Sequence, residues 1–226
     1  TWRRQGATIY LAAGERIRDH AGAREAARIK GSGYLGRGDE MQTILALFVG
    51  IGLAATCGFR IFVPLLGLSI AHHLGHVPLT QGFEWIGSWP AMISFGVATI
   101  LEVGAYYLPL VDNVLDMIAT PAAVVAGTIV TASLLVELSP HLRWPLAVIA
   151  GGGVAGVVQG ASVFLRGSST AATGGFGNPL VSTGELAAAV AGTIVALLLP
   201  PVAIVLVGLL LFHIFRRLLR RRRQAV

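Results

Sequence analysis

Glu102 is the residue whose chemistry asks most of its surroundings. It sits in the run Thr99-Ile100-Leu101-Glu102-Val103-Gly104-Ala105-Tyr106-Tyr107, near the middle of an apolar stretch over residues 90–111. A charge at the centre of a membrane-spanning helix costs at least ~2.5 kcal/mol even on mild insertion scales, so the carboxylate has to face protein or water. Arg60 is expected at matching depth in an earlier apolar stretch, and an Arg60–Glu102 pair neutralises both. Tyr106 is one helical turn from Glu102 and can donate a hydrogen bond to it. Such a pair either fixes packing or serves a substrate, ion or proton.

Asp112 and Asp116 are spaced i, i+4 and share one face at the start of a helix. Asn113 lies between them, Thr120 continues the face and Pro121 follows. The helix dipole accounts for Asp112 but less well for Asp116, one turn deeper. Two carboxylates, an amide and a proline-loosened backbone can supply oxygens to Na⁺ or Mg²⁺, and one carboxylate can instead carry a proton. A third feature runs from Arg166 to Pro179 and is rich in glycine, serine and threonine. Read as a loop, its backbone N–H groups can form an anion nest, with Arg166, Ser168, Ser169 and Thr170 as candidate contacts. A plain connector is the alternative. The segment lacks the GK[ST] ending of a phosphate-binding loop. Ser182-Thr183-Gly184-Glu185 matches a capping box, which marks a helix start and gives Glu185 a structural role.

The elements that position these residues are apolar stretches over residues 43–71, 90–111, 114–138, 144–165 and 186–215. About 20 apolar residues make one crossing. The first stretch exceeds that length and carries Gly58, Arg60 and Pro64, so it is either one tilted helix or a broken one. The last contains Pro200-Pro201 and reads as two short elements, 186–199 and 202–215. The expected fold is an all-α, polytopic transmembrane bundle with five or six membrane segments and broken or kinked helices. Gly50, Ala54 and Gly58 recur as Gly152, Gly156 and Gly160 at an offset of 102, each set spaced for close helix packing. Three elements separate the two sets, the arrangement of an inverted repeat. Ala-Gly-Thr-Ile-Val, found at 126–130 and again at 191–195, argues for a different alignment.

Composition supports the membrane reading. The chain is 54% hydrophobic and 12% charged, with a mean hydropathy of +0.73, more apolar surface than a soluble domain of 226 residues can bury. Of 17 Lys and Arg residues, eight precede residue 38 and six lie at 216–223. The net charge of +6 therefore belongs to the tails, which read as topology signals and contacts for anionic lipid rather than for nucleic acid. By the positive-inside rule the C-terminal tail is cytoplasmic, and six crossings place both tails there, in a multi-pass inner-membrane protein. Two readings of residues 1–40 stand: a basic surface helix over residues 9–30, or a start upstream of a native one at Met41. Residues 41–220 form the membrane domain and 221–226 a basic tail. Cys57 is the single cysteine, which excludes an intramolecular disulfide. The adjacent His72 and His73 diverge by about 100° on a helix and make no zinc pair.

Gly58-Phe59-Arg60, residues 83–91, 101–123 and 143–153, and the Arg-Gly-Ser-Ser-Thr segment at 166–170 resemble the bacterial membrane family known as domain of unknown function 4126. The resemblance covers residues 42–215. It implies a membrane fold and supplies no activity, so no functional residue is transferred from it. Three functions compete: a small-solute or ion transporter or channel-like protein, a non-catalytic scaffold or lipid-binding subunit, and an intramembrane lipid-modifying enzyme. No Ser/His/Asp or HExxH signature supports the enzyme. The expected partners are the bilayer, anionic lipid and a second copy of the chain, with no cofactor.

Overall fold

The computed structural model describes residues 37–107 and 111–224. The helix expected over residues 9–30 lies outside them. Among the described residues there is no strand, and seven helices carry the fold. They are α1 (Arg37–Cys57), α2 (Phe62–His73), α3 (Trp89–Ala105), α4 (Val111–Leu134), α5 (Pro140–Thr173), α6 (Asn178–Leu198) and α7 (Pro200–Gln224). Five of them, α1 and α4 to α7, contain windows long and apolar enough to cross a membrane. The chain is thus an all-α, polytopic transmembrane bundle.

Prolines and glycines set the boundaries. Gly58 N–H bonds to the Ala55 carbonyl, and the N–H groups of Phe59 and Arg60 both bond to Thr56, which closes the end of α1. Pro64 then falls in the first turn of α2, where its missing N–H is no loss. The Ser88 hydroxyl accepts from Ala91 N–H at 3.3 Å and caps α3. Inside α5, Pro145 precedes a π-helical turn over Ala147–Gly152, where one extra residue is accommodated before the α-helix resumes. Pro200-Pro201 opens α7, as expected. However, α6 has 21 residues rather than the 14 read from sequence, because it begins at Asn178-Pro179 and not after a capping box. Ser182 and Glu185 are interior residues of α6. The glycine-rich segment is likewise mostly helix, and only residues 174–177 turn, with Gly174 and Gly175 at φ of 64° and 95°.

Contacts along α6 fix the course of the first stretch. Gly52 lies against Ala196 and Thr56 against Gly192, so α1 runs antiparallel to α6. The Arg60 side chain reaches Ser182, lower on α6. Gly67 of α2 is then back beside Thr193 and Leu197. The chain therefore descends in α1, turns at residues 58–61 and climbs again in α2, a re-entrant hairpin instead of one tilted span. His73 meets Trp89 at the head of α3, with ring centroids 4.6 Å apart, and α3 descends until Glu102 meets Ile61 and Phe62. Helix α4 climbs to Ser133, whose carbonyl accepts from Thr80 N–H. From there α5 descends, α6 climbs and α7 descends. Seven helices alternating in direction leave Met41 and Arg217 at opposite ends of the bundle.

Most of the small residues pack, chiefly against α4. A Cβ on Gly50 would stand 3.1 Å from Thr131 on α4, and buried Ala54 meets Gly127 on the same helix. Gly58 touches α5, where a Cβ would stand 2.6–2.9 Å from Val158, Ala155 and Gln159. Gly152 and Gly156 also face α4, at Thr128 and Val124, while Gly160 has open space around it and carries no packing contact. Helix α4 thus receives the first two residues of each stripe. The two stretches paired by the offset of 102 also differ in form, one a hairpin and the other a single 34-residue helix span.

Candidate functional site

The hairpin turn brings together side chains from five elements. Arg60 comes from the turn, Glu102 and Tyr106 from the end of α3, Asp116 from α4, Ser162 and Arg166 from α5, and Ser182 and Glu185 from α6. All eight are buried. Glu185 lies seven residues inside α6, about 10 Å along its axis. The cluster therefore sits in one third of the bundle rather than at its middle. Glu102 shifts from its expected place for the same reason. Helix α3 stops at Ala105, which puts the carboxylate in its last turn.

A carboxylate at a helix C-terminus opposes the helix dipole. Here it is compensated by the start of another helix. Ile61 N–H donates to one Glu102 oxygen at 2.9 Å and Phe62 N–H to the other at 3.2 Å. The expected Arg60–Glu102 ion pair does not form, because the turn backbone takes the carboxylate first. Arg60 instead donates from Nη2 to the Ser182 carbonyl at 3.0 Å and stands 4.0 Å from a Glu185 oxygen. Tyr106 does not donate to Glu102 either. Its hydroxyl donates to Asp116 at 3.3 Å. Its ring lies under both arginines, with Arg60 Cζ 4.1 Å and Arg166 Cζ 4.0 Å from the centroid.

Arg166 is the best-satisfied charge. Its Nη1 pairs with Asp116, its Nη2 with Glu185, and its Nε donates to Glu185 at 3.0 Å. Ser162 also donates to Glu185. This removes the anion nest. Arg166, Ser168, Ser169 and Thr170 are helical. The Ser168 hydroxyl bonds to the Phe164 carbonyl and the Ser169 carbonyl accepts from Thr173, both within α5, while Thr170 accepts from Asn178 across the turn. Asp116 pairs with Arg166. The side chains of Asp112 and Asn113 lie outside the described residues. Among the described residues no group of three or more His, Cys, Asp or Glu side chains could hold a metal ion.

Arg60 is the exception to this pairing. It is 0% exposed, yet Nε and Nη1 have no acceptor. Gln159 lies one turn before Ser162 on α5, with its backbone against Gly58. It is 2% exposed, and its Nε2 also lacks a partner. Sequence reading found Arg60, Glu102, Tyr106, Asp116 and Arg166 but missed Gln159, Ser162, Ser182 and Glu185. The signal for Glu185 was its place two turns beyond Asn178-Pro179, a carboxylate too deep in an apolar helix to be a cap.

A separate crevice of about 340 Å³ opens between α1, α6 and α7, lined by small and aliphatic residues such as Gly52, Ala55, Ala188, Gly192 and Val207. Thr56, which also lines it, accepts from Thr193 and donates to the Leu53 carbonyl.

A re-entrant hairpin around a buried ionic cluster defines a polytopic helical membrane protein with charges held in its interior. The chain belongs to the family described as Domain of unknown function (DUF4126), whose model matches residues 47–220. That description carries no activity. No curated protein and no solved structure matches the chain.

Proposed function

We propose that the chain is a small-solute transporter whose binding and coupling site is the cluster at the hairpin turn. The observation that supports this reading is a broken helix that ends among buried charges. Discontinuous helices at buried sites are a recurrent way to bind solute and coupling ion, since unwound backbone and half-helix termini supply the ligands. Ionisable groups inside a membrane protein are costly and tend to mark such pathways. Two guanidinium groups and three carboxylates meet here, and one guanidinium is only partly paired. Movement of α1–α2 against α5 and α6 is the change that opens the site. In this reading Met41 and Arg217 lie on opposite sides of the membrane, and the basic C-terminal tail contacts anionic lipid.

Reconstitution tests it. Proteoliposomes carrying an internal pH dye are supplied with alkali cations, inorganic anions and small organic acids in turn. Solute-dependent flux that Glu102→Gln alters is expected. A bilayer that stays as tight as empty vesicles to every solute, with no solute raising the melting temperature in detergent, would overturn the reading. The scaffold reading draws on Arg166, which is fully engaged, as a purely structural ion pair is. It predicts that an apolar Asp116→Leu/Arg166→Met/Glu185→Leu variant keeps every property of the native chain. The enzyme reading, with Asp112 and Asp116 on a metal and Arg166 on a phosphate, draws less support, since Arg166 is engaged by Asp116 and Glu185.

A further inference from the structure

The turn of the hairpin holds a carboxylate of the protein's own. Glu102 accepts from the first backbone N–H groups of α2, the position in which a helix N-terminus binds an anionic ligand. Beside it are two buried side chains with unpartnered donors. Arg60 Nε and Nη1 and Gln159 Nε2 are buried N–H donors without acceptors. A buried donor left unmade costs about 1–3 kcal/mol, more for a charged group, so three on the two residues at the turn call for an acceptor there. All three are donors, and a cation satisfies none of them. The complementary ligand is an oxyanion.

Charge limits how it binds. The cluster holds Arg60 and Arg166 against Glu102, Asp116 and Glu185, so a second unpaired negative charge is strongly opposed in a dry interior. Asp116 and Glu185 are each bound to Arg166. Glu102 takes its hydrogen bonds from backbone N–H groups instead. The other ionisable groups around it are Cys57 on α1, Arg60 in the turn, Tyr106 on its own helix and Arg166 on α5. A proton arriving on Glu102 weakens its hold on Ile61 and Phe62. The vacated place has the size of one carboxylate. We propose that the turn binds a small monocarboxylate together with one proton: Glu102 takes the proton, and the ligand carboxylate takes over the α2 N-terminus, Arg60 and Gln159. This rests on the transport reading and gives it a substrate class.

Acetate is the probe, with methanesulfonate matched for ionic strength as the control. The melting temperature of the full chain in detergent is followed at acidic and alkaline pH. Acetate at ten times its dissociation constant is expected to raise it by about 3–6 °C at acidic pH, with little effect at alkaline pH. In Glu102→Gln, which carries the neutral side chain permanently, the rise is expected at both. Arg60→Lys keeps the charge but loses Nε and the planar fork, and should abolish the rise. Gln159→Leu should reduce it, and serves if Arg60→Lys does not fold. No acetate effect at either pH, or an undiminished effect in Arg60→Lys or Gln159→Leu, overturns the proposal. Phosphate stabilising as well as acetate overturns the monocarboxylate assignment. In the proteoliposomes, acetate that binds but does not cross leaves the site standing and removes the transport reading. A cation flux without acetate binding does the reverse.

Discussion

At the residue scale, one rule sorts the cluster: each charge takes the nearest partner that the backbone brings. Glu102 was expected to pair with Arg60, but the same turn that carries Arg60 presents two N–H groups first. The five residues legible in the sequence were those whose charge or hydroxyl stands out in an apolar run. Glu185 was hidden by a capping-box match four residues long, and Gln159 by being uncharged. Two predictions belong here. Arg166→Met strands Asp116 and Glu185 without their cation, which should cost about 3–5 kcal/mol, and replacing both carboxylates by leucine as well should recover most of it. Unfolding in detergent measures both, and a single variant as stable as the native chain would show that the cluster is not a closed ionic unit. Gly58→Ala places a methyl group 2.6–2.9 Å from Val158, Ala155 and Gln159. Overpacking of this kind costs about 1–3 kcal/mol, so a lowered melting temperature is expected, whereas Gly160→Ala, with open space around it, should be neutral.

At the element scale, the sequence showed where helices break but not where the chain goes next. Gly58, Arg60 and Pro64 mark an interruption, and Pro200-Pro201 another. A break alone does not distinguish a kinked span from a hairpin, because that depends on which turns of α6 receive α1 and α2. The glycine-rich segment misled for a related reason. Ser, Thr and Ala at 168–173 are tolerated in a helix, and only the paired glycines at 174 and 175 require the left-handed backbone. The hairpin can be tested by crosslinking in a Cys57→Ala background. A Cβ on Gly67 lies 3.9 Å from Thr193 Cβ, and one on Gly192 lies 4.0 Å from Thr56 Cβ, both within disulfide reach. Gly67→Cys/Thr193→Cys and Thr56→Cys/Gly192→Cys should each oxidise to a crosslinked species that runs differently from its reduced form. If only the Thr56 pair closes, α2 does not return along α6.

At the scale of the whole molecule, the hairpin changes parity. The apolar stretches alone read as five or six crossings, and six would put both tails on one side. The hairpin brings the first stretch back toward the end where it began, so Met41 and Arg217 lie at opposite ends of the bundle. Cysteines placed singly at Gln42 and Arg217 in the Cys57→Ala background should differ in reactivity toward an impermeant thiol reagent on sealed vesicles, with one protected until the vesicles are opened. Equal protection of the two would restore the even count. The π-helical turn in α5 acts over the same distance as a phase shifter. Its extra residue lets Gly151 and Gly152 both meet α4 while Gln159, Ser162 and Arg166 below it still point at the hairpin turn. Removing one outward-facing residue there, Ile149, takes away that surplus without touching the cluster. The two halves of α5 then join as one unbroken α-helix in the same phase, because the π turn had absorbed the extra residue. Deletion of Ile149 should therefore leave Arg166 paired with Glu185 and Asp116, whereas deletion of Val157 from the regular helix below should turn the two halves by about 100° relative to each other and uncouple that pairing, read as a lowered melting temperature in detergent.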